Sequence, residues 1–123
     1  MERSVAKTYE NDYEGAQLIL DEEIAKTSDA ELVHDLSLQQ AANAYNDGKY
    51  KEGLVFARQA IEHSDSLQAN KIAGRAAAKD GQFQVAVTYY EAALKRIPDD
   101  DKSVAANREK RQIEKFLEDI KND

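Results

Sequence analysis

Apolar residues recur every three or four positions along most of this chain, the spacing that places side chains on one face of an α-helix. One stretch carries them at Leu54, Ala57, Ala60 and Ile61. A later stretch carries them at Val85, Ala86, Tyr89, Tyr90, Ala93, Leu94 and Ile97. Pro98 follows directly and is expected to end that helix. The pattern predicts about seven helices and no sheet, near residues 2–10, 13–27, 30–47, 50–64, 67–80, 83–96 and 101–121.

A turn followed by an aromatic residue occurs three times and indicates an internal repeat. The aromatic residues are Tyr13, Tyr50 and Phe83, which lie 37 and then 33 positions apart. Gly48 and Gly81 stand two residues before the second and third of them. Glycine can adopt the left-handed conformation that ends a helix. We therefore expect pairs of helices joined by tight turns, with each aromatic side chain packed into the angle between its two helices.

Composition narrows the class of protein. The 123 residues suffice for one domain, and the absence of cysteine removes disulfides and thiolate metal ligands. The 17 basic and 24 acidic residues give a formal charge of −7, and a negative field disfavours nucleic-acid binding. The sequence shows neither an apolar run long enough to cross a bilayer nor a signal-peptide pattern. We expect a soluble, cytoplasmic protein that does not insert into membranes.

Residues 67–100 resemble a tetratricopeptide repeat. The family pattern has a leucine-glycine pair and then a large residue in the first helix, followed by an alanine, an aromatic residue and another alanine in the second, and a final proline. This chain matches it in order with Ala73-Gly74, Ala86, Tyr90, Ala93 and Pro98. Asn70 and Ala77 depart from it, at positions that usually hold tryptophan and tyrosine. The small residues have a physical role, because larger side chains would separate two closely crossing helices.

The resemblance extends over most of the chain, with fewer matches outside residues 67–100. The second unit, residues 34–66, matches at Ala41, Tyr50, Gly53, Ala57 and Ala60, with Asp65 replacing the proline. The first unit would span residues 2–33, with Val5 to Tyr9 in its first helix and Ala16 and Leu20 in its second. Residues 101–121 are similar to a capping helix with an apolar stripe. The resemblance thus implies one all-α domain, built from antiparallel helix hairpins stacked as a right-handed superhelix.

In this family, the first helix of each pair lines a concave groove that usually holds a peptide segment of a partner protein. The resemblance therefore implies a protein-interaction module of the adaptor, scaffold or co-chaperone type, with no catalytic residue, cofactor or metal. The residues predicted to line the groove are Leu38, Gln39, Tyr45, Asn46, Gln68, Lys71, Ile72, Arg75 and Lys79, with Asp35, Ala42 and Ala78 beside them. The capping helix would add Lys102, Ala105, Ala106 and Glu109.

Three of these residues, Lys71, Arg75 and Lys79, are four positions apart and form a basic stripe on one helix. One interpretation is that the stripe binds an acidic segment or a C-terminal carboxylate, which arginine can hold with two parallel hydrogen bonds. The alternative is a solvated helix face whose cations pair with Asp47, Asp80 or the acids at 99–101. The sequence favours neither interpretation over the other.

Other readings of the binding module remain open. Family members that bind the C-termini of cytosolic chaperones use a set of lysine, asparagine and arginine residues. The corresponding positions here hold Met1, Val5, Gln39, Gln68 and Ile72, so this clamp is absent in that register. Small acidic chaperones of type III secretion translocators are also built from about three such repeats and are the main alternative. A self-assembling subunit is a third possibility, and the sequence leaves the oligomeric state undetermined.

An enzyme is the least favoured reading. The only histidines are His34 and His63, each next to an acid in sequence, and adjacent helical residues point to different faces. The sequence contains no zinc-protease motif, phosphate-binding glycine loop or nucleophile elbow. We expect both histidines to lie partly exposed near helix ends. The acids at 99–101 are expected to cap the start of the last helix.

Overall fold

The computed structural model describes the backbone of residues 2–121 and the side chains of residues 13–121. This part of the chain contains six α-helices and no strand. The helices are α1 Glu2–Lys26, α2 Ala30–Asn46, α3 Tyr50–His63, α4 Leu67–Lys79, α5 Phe83–Lys95 and α6 Val104–Lys121. Met1 and the side chain of Val5, both considered for a chaperone clamp, lie outside the described residues. Within residues 2–121, no helix combines the length and the apolar character that crossing a bilayer requires.

The prediction of two helices before residue 28 is wrong, because α1 is one continuous helix of 25 residues. The predicted turn at residues 11–12 has no glycine in a left-handed conformation, which both later turns have. Gly15 lies within α1, and outside its own turn of helix no described atom would lie within 4 Å of a Cβ added there. A helix without a stop signal continues, because each added residue gains one backbone hydrogen bond.

The α2–α3 and α4–α5 turns have the same geometry, 33 residues apart. Gly48 has a φ of 78° and Gly81 a φ of 81°. In the first turn, the N–H of Lys49 donates to the carbonyl of Ala44 at 2.8 Å and that of Gly48 to Tyr45 at 3.1 Å. The equivalent bonds in the second turn measure 2.9 Å and 3.1 Å. This pair of bonds defines a Schellman motif, which requires a residue such as glycine at the left-handed position.

Side-chain oxygens cap the starts of three helices. Asp29 accepts hydrogen bonds from the backbone at the start of α2, and Ser66 accepts one from Ala69 in α4. Ser103 Oγ accepts the N–H of Ala106 at 3.1 Å, so α6 is capped by Ser103 and not by the acids at 99–101. Asp101 accepts the N–H of Ser103 instead, and this bond lowers the pKa of the exposed Asp101 carboxyl. The last helix therefore begins at residue 104 and not at 101.

Each helix packs mainly against its neighbours along the chain, and α2 also contacts α4. Small residues fill much of the core, including Ala41, Ala57, Ala73, Ala76, Ala77, Ala86 and Ala93. A Cβ on Gly74 would lie 2.7 Å from the ring of Tyr90, which is itself buried. The predicted close crossing at Gly74 is therefore present, and it involves an aromatic ring of α5. Ile113 and Leu117 of α6 complete the core at the C-terminal end.

Candidate functional site

Two adjoining recesses lie beside Arg75 of α4. The smaller, of about 230 Å³, lies between α2 and α4. It is lined by Ala42, Tyr45, Asn46, Ile72 and Arg75. The larger, of about 400 Å³, extends toward α5 and α6. Its lining includes Tyr45, Arg75, Lys79, Tyr90, Phe116, Asp119 and Ile120. Because Tyr45 and Arg75 line both, the recesses meet at these two side chains, and we call them together the Arg75 groove.

Arg75 is held between two aromatic rings. Its guanidinium carbon lies 4.8 Å from the ring centroid of Tyr45 and 5.6 Å from that of Phe116. Such contacts are each worth about 0.5–2 kcal/mol, depending on desolvation. Within residues 13–121, no carboxylate oxygen lies within 4.0 Å of the Arg75 guanidinium. The rings fix the position of the guanidinium and leave its N–H donors without an acidic partner from that part of the chain.

The two rings beside Arg75 are themselves held by other aromatic side chains. Tyr90 stacks on Phe116 with the centroids 5.3 Å apart, and Tyr50 meets Tyr45 edge-on at 5.4 Å. Tyr90 is almost fully buried, and this burial raises the pKa of its hydroxyl well above the usual value. At neutral pH the hydroxyl is therefore neutral. The groove wall consists of rings with few accessible rotamers, so little entropy is lost when a ligand contacts them.

Lys71, the first member of the predicted basic stripe, is paired with α6. Its Nζ donates to Glu109 at 2.9 Å and 3.2 Å and to Gln112 at 3.1 Å. The Lys71 side chain is only 13% exposed. Its partner is therefore neither a ligand nor any of the acids expected in the solvated-face interpretation. Lys79 is exposed, and no carboxylate of residues 13–121 lies within 4.0 Å of its Nζ.

The predicted groove residues divide into two groups. Tyr45, Asn46, Ile72, Arg75 and Lys79 line the Arg75 groove. The others that were predicted, Leu38, Gln39, Gln68 and Lys71, line neither recess. Of the residues expected from the capping helix, Ala105, Ala106 and Glu109 line a separate recess of about 220 Å³ near Leu67. Lys102 lines a different recess, between the end of α5 and α6.

The predicted groove residues did not include those that α6 supplies, namely Phe116, Asp119 and Ile120. A signal was present, because Phe116 and Ile120 belong to the apolar stripe already assigned to this helix. An apolar stripe identifies the packed face of a helix. It does not say that one edge of that face will border a groove.

The largest recess, of about 530 Å³, lies elsewhere, between the end of α5 and α6. Lys95, Lys102 and Lys110 line it together with Asp99 and Asp101, so charges of both signs are mixed along its edge. All five side chains are exposed. Surface charges of mixed sign are mostly solvated and are weakly selective. We therefore place the candidate site at the Arg75 groove, where a cation is held by rings.

His34 does not match its prediction, because it is buried and not partly exposed. Its Nε2 lies 2.8 Å from Ser66 Oγ, and its Nδ1 lies 3.0 Å from Asp35 Oδ1. The neighbouring acid therefore does reach the ring. The order serine, histidine, aspartate resembles that of a catalytic nucleophile with its base and acid. Here, however, Ser66 Oγ caps the start of α4, and the Asp35 side chain is 74% exposed. The arrangement ties α2 to the start of α4. His63, in the last turn of α3, is exposed as expected.

Comparison with known proteins identifies no relative. No family model matches the sequence, and no curated protein and no solved structure matches it significantly.

Proposed function

We propose that this protein is an interaction module of the tetratricopeptide-repeat kind that binds a peptide segment of a partner protein in the Arg75 groove. The observation that carries the proposal is Arg75 itself, positioned between Tyr45 and Phe116 with no carboxylate of residues 13–121 beside it. Fixed cations of this type are suited to bidentate recognition of a carboxylate. The ligand is an acidic segment or a free C-terminus.

The fold supports the repeat part of the proposal. The α2–α3 and α4–α5 hairpins share one turn geometry at a spacing of 33 residues. Their first helices, α2 and α4, contact each other, as stacked hairpins require. In a superhelix of this kind, α2 and α4 line the inner face and α6 closes the array. The Arg75 groove then lies along the inner face and ends at α6.

The chemistry of the groove defines the expected ligand. Its carboxylate accepts hydrogen bonds from Arg75, and the exposed Lys79 adds a second positive charge at the same end. An aliphatic side chain of the ligand fills the recess between Ile72 and Tyr45. Asp119 also lines the groove and repels an acidic ligand, so it opposes binding.

The test is a binding selection with a library of peptides that end in free carboxylates, followed by fluorescence anisotropy on the peptides recovered. We expect Arg75→Glu to weaken binding by tenfold or more, because a hydrogen bond to a charged group contributes about 1.5–3 kcal/mol. Arg75→Lys should lose much of the affinity, since lysine cannot make the bidentate contact. Asp119→Asn should strengthen binding, because it removes the repulsive charge.

The matched control is Arg58→Glu. Arg58, like Arg75, lies on an aromatic ring, and its Nε donates to the hydroxyl of Tyr89 at 2.9 Å. It is exposed and lines neither recess of the groove. It has the same change of charge and should leave affinity unchanged. If the Arg58→Glu and Arg75→Glu variants lost affinity equally, binding would depend on the overall charge of the protein and not on the groove. If selected peptides bind the Arg75→Glu variant as well as the wild type, the groove is not the site.

A further inference from the structure

The net negative charge of the chain is concentrated in its first helix hairpin. Residues 14–47 contain eight acidic residues and a single basic residue, Lys26, which gives −7 and equals the charge of the whole protein. Residues 48–121 contain fourteen basic and twelve acidic residues. The α1–α2 hairpin is therefore strongly acidic, whereas the part of the chain that forms most of the Arg75 groove is slightly basic.

The face of α1 that packs against α2 includes polar side chains. Gln17 Nε2 donates to the carbonyl of Gln40 at 3.0 Å, and Gln40 Nε2 donates to Asp21 at 2.7 Å. Gln17 and Gln40 are both buried, and the Oε1 atom of Gln40 has no hydrogen-bond partner in the described part of the chain. Buried helix interfaces are normally apolar. This one includes amide hydrogen bonds beside Leu20 and Ile24, which are partly buried on the same face of α1.

Another face of α1 carries exposed apolar residues. Leu18 and Ile19 are each 60% exposed, and no described atom would contact a Cβ at Gly15. These three positions are spaced i, i+3 and i+4, so they form one patch, which we call the Gly15 patch. Glycine within a helix costs about 1 kcal/mol relative to alanine, and nothing described in this chain packs against it. Leu18 and Ile19 therefore form an apolar patch that nothing in the described part of the chain covers.

Charge decides between two possible occupants of the patch. The exposed acids Glu14, Glu22 and Glu23 surround it. If a second copy of the protein docked through the same patch, these carboxylates would face their equivalents and repel them. A helix with basic residues on both sides of an apolar stripe would bring opposite charges together. The absence of a side chain at Gly15 lets a facing helix approach closely.

We propose that the Gly15 patch is a second docking surface, which binds a basic amphipathic helix of a partner protein. Leu18 and Ile19 contact the apolar stripe of that helix, and its lysines or arginines face the acids of the hairpin. The patch belongs to α1, which contributes no residue to the Arg75 groove. The two surfaces can therefore be tested separately.

The probe is an 18-residue peptide (about five helical turns) made only of leucine and lysine, with the leucines on one helical face. A scrambled peptide of the same composition has no apolar face, and a second control replaces every lysine with glutamate. Affinity is measured for the wild type, for Leu18→Gln/Ile19→Gln and for Val55→Gln. Glutamine preserves helix propensity, and Val55 of α3 is a matched control because it is 59% exposed.

We expect the amphipathic basic peptide to bind the wild type and the Val55→Gln variant equally, and the double glutamine variant at least tenfold more weakly. Binding should weaken with added salt and should be absent for the glutamate peptide. In a ¹⁵N-labelled wild type, the amide shifts on binding should fall in α1 and α2. Arg75→Glu should bind this peptide like the wild type.

Three results would overturn the proposal. Equal affinity for the scrambled peptide would show that charge attraction alone explains the binding, without the apolar patch. Changes in amide chemical shift around Arg75 would show that the peptide binds in the groove and not at the Gly15 patch. A wild-type dimer that dissociates in the double glutamine variant would show that a second copy covers the patch.

Discussion

Glycine-to-alanine substitutions at two helical positions should have opposite effects on stability. Gly15 and Gly74 both lie inside helices, so alanine at either site gains about 1 kcal/mol of helix propensity. At Gly15 the added methyl group has no described atom within 4 Å. At Gly74 it would lie 2.7 Å from two ring atoms of Tyr90, closer than carbon atoms can approach.

The magnitudes follow from whether Tyr90 can move. Its ring is almost fully buried and stacks on Phe116, so it cannot rotate away without disturbing α6. Overpacking costs about 1–3 kcal/mol, and contact with an immobile ring places this substitution in the upper part of that range, above the gain in helix propensity. We expect Gly74→Ala to lower the free energy of unfolding by about 1–2 kcal/mol. Gly15→Ala should raise it by about 1 kcal/mol, chiefly by restricting the unfolded chain.

The assay is urea unfolding followed by far-UV circular dichroism and by tyrosine fluorescence, with the slope m compared between variants. Unchanged m values would confirm that the shifts in midpoint report stability. Gly74→Ala combined with Tyr90→Leu should lose less stability than the two single losses together, because the clash is removed. If Gly74→Ala proved as stable as the wild type, the close crossing of α4 and α5 would be refuted. Lower stability in Gly15→Ala would mean that part of the protein packs against this position.

Three further changes test the turns, the α4–α6 contact and one surface ion pair. Gly81→Ala should cost about 1–2 kcal/mol, because φ is 81° there, and an unchanged urea midpoint would contradict this. Lys71→Met should cost about 1 kcal/mol by leaving the half-buried Glu109 without its cation, and the loss should shrink when Glu109→Leu is added. The Arg96 guanidinium, followed by the Asn70 amide, lowers the pKa of Asp65 by hydrogen bonding. A lowered pKa stabilises the fold above the ordinary carboxyl value of about 4, and this stabilisation is lost as pH falls through the lowered value. Arg96→Gln should thus raise the pKa of Asp65 in an NMR titration and cost less than about 1 kcal/mol at neutral pH, with the difference vanishing in acid.

Local chemistry explains which parts of the fold were predictable. The four helices from α2 to α5 begin and end within about two residues of the prediction. The ends of α2 and α4 were predictable because Gly48 and Gly81 provide a stop signal that depends only on their own backbone. The predicted break near residue 12 was wrong for the same reason. It relied on aligning Tyr13 with Tyr50 and Phe83, and that alignment supplies no glycine to end the helix.

The candidate site was harder to predict, because its character depends on contacts between distant segments. The i, i+4 spacing correctly places Lys71, Arg75 and Lys79 on one helix, but it cannot show what each side chain meets. Glu109 is 38 residues from Lys71, and Phe116 is 41 residues from Arg75. Whether each cation pairs with an acid of α6 or stays available to a ligand depends on how α6 is rotated about its own axis. The apolar stripe of α6 defines that rotation only roughly. The burial of His34 likewise depends on Ser66, which is 32 residues away.

Most helix contacts join helices that are adjacent in sequence, and this affects how fast the chain folds. Folding slows when contacts join residues that are far apart in sequence, since long loops must close before those contacts form. Here α2 can pack on α3, and α4 on α5, after closing a turn of only a few residues. We expect the protein to fold in microseconds to milliseconds, as helical proteins rich in local contacts do. Either glycine turn can bring its two helices together before the rest of the chain is in place.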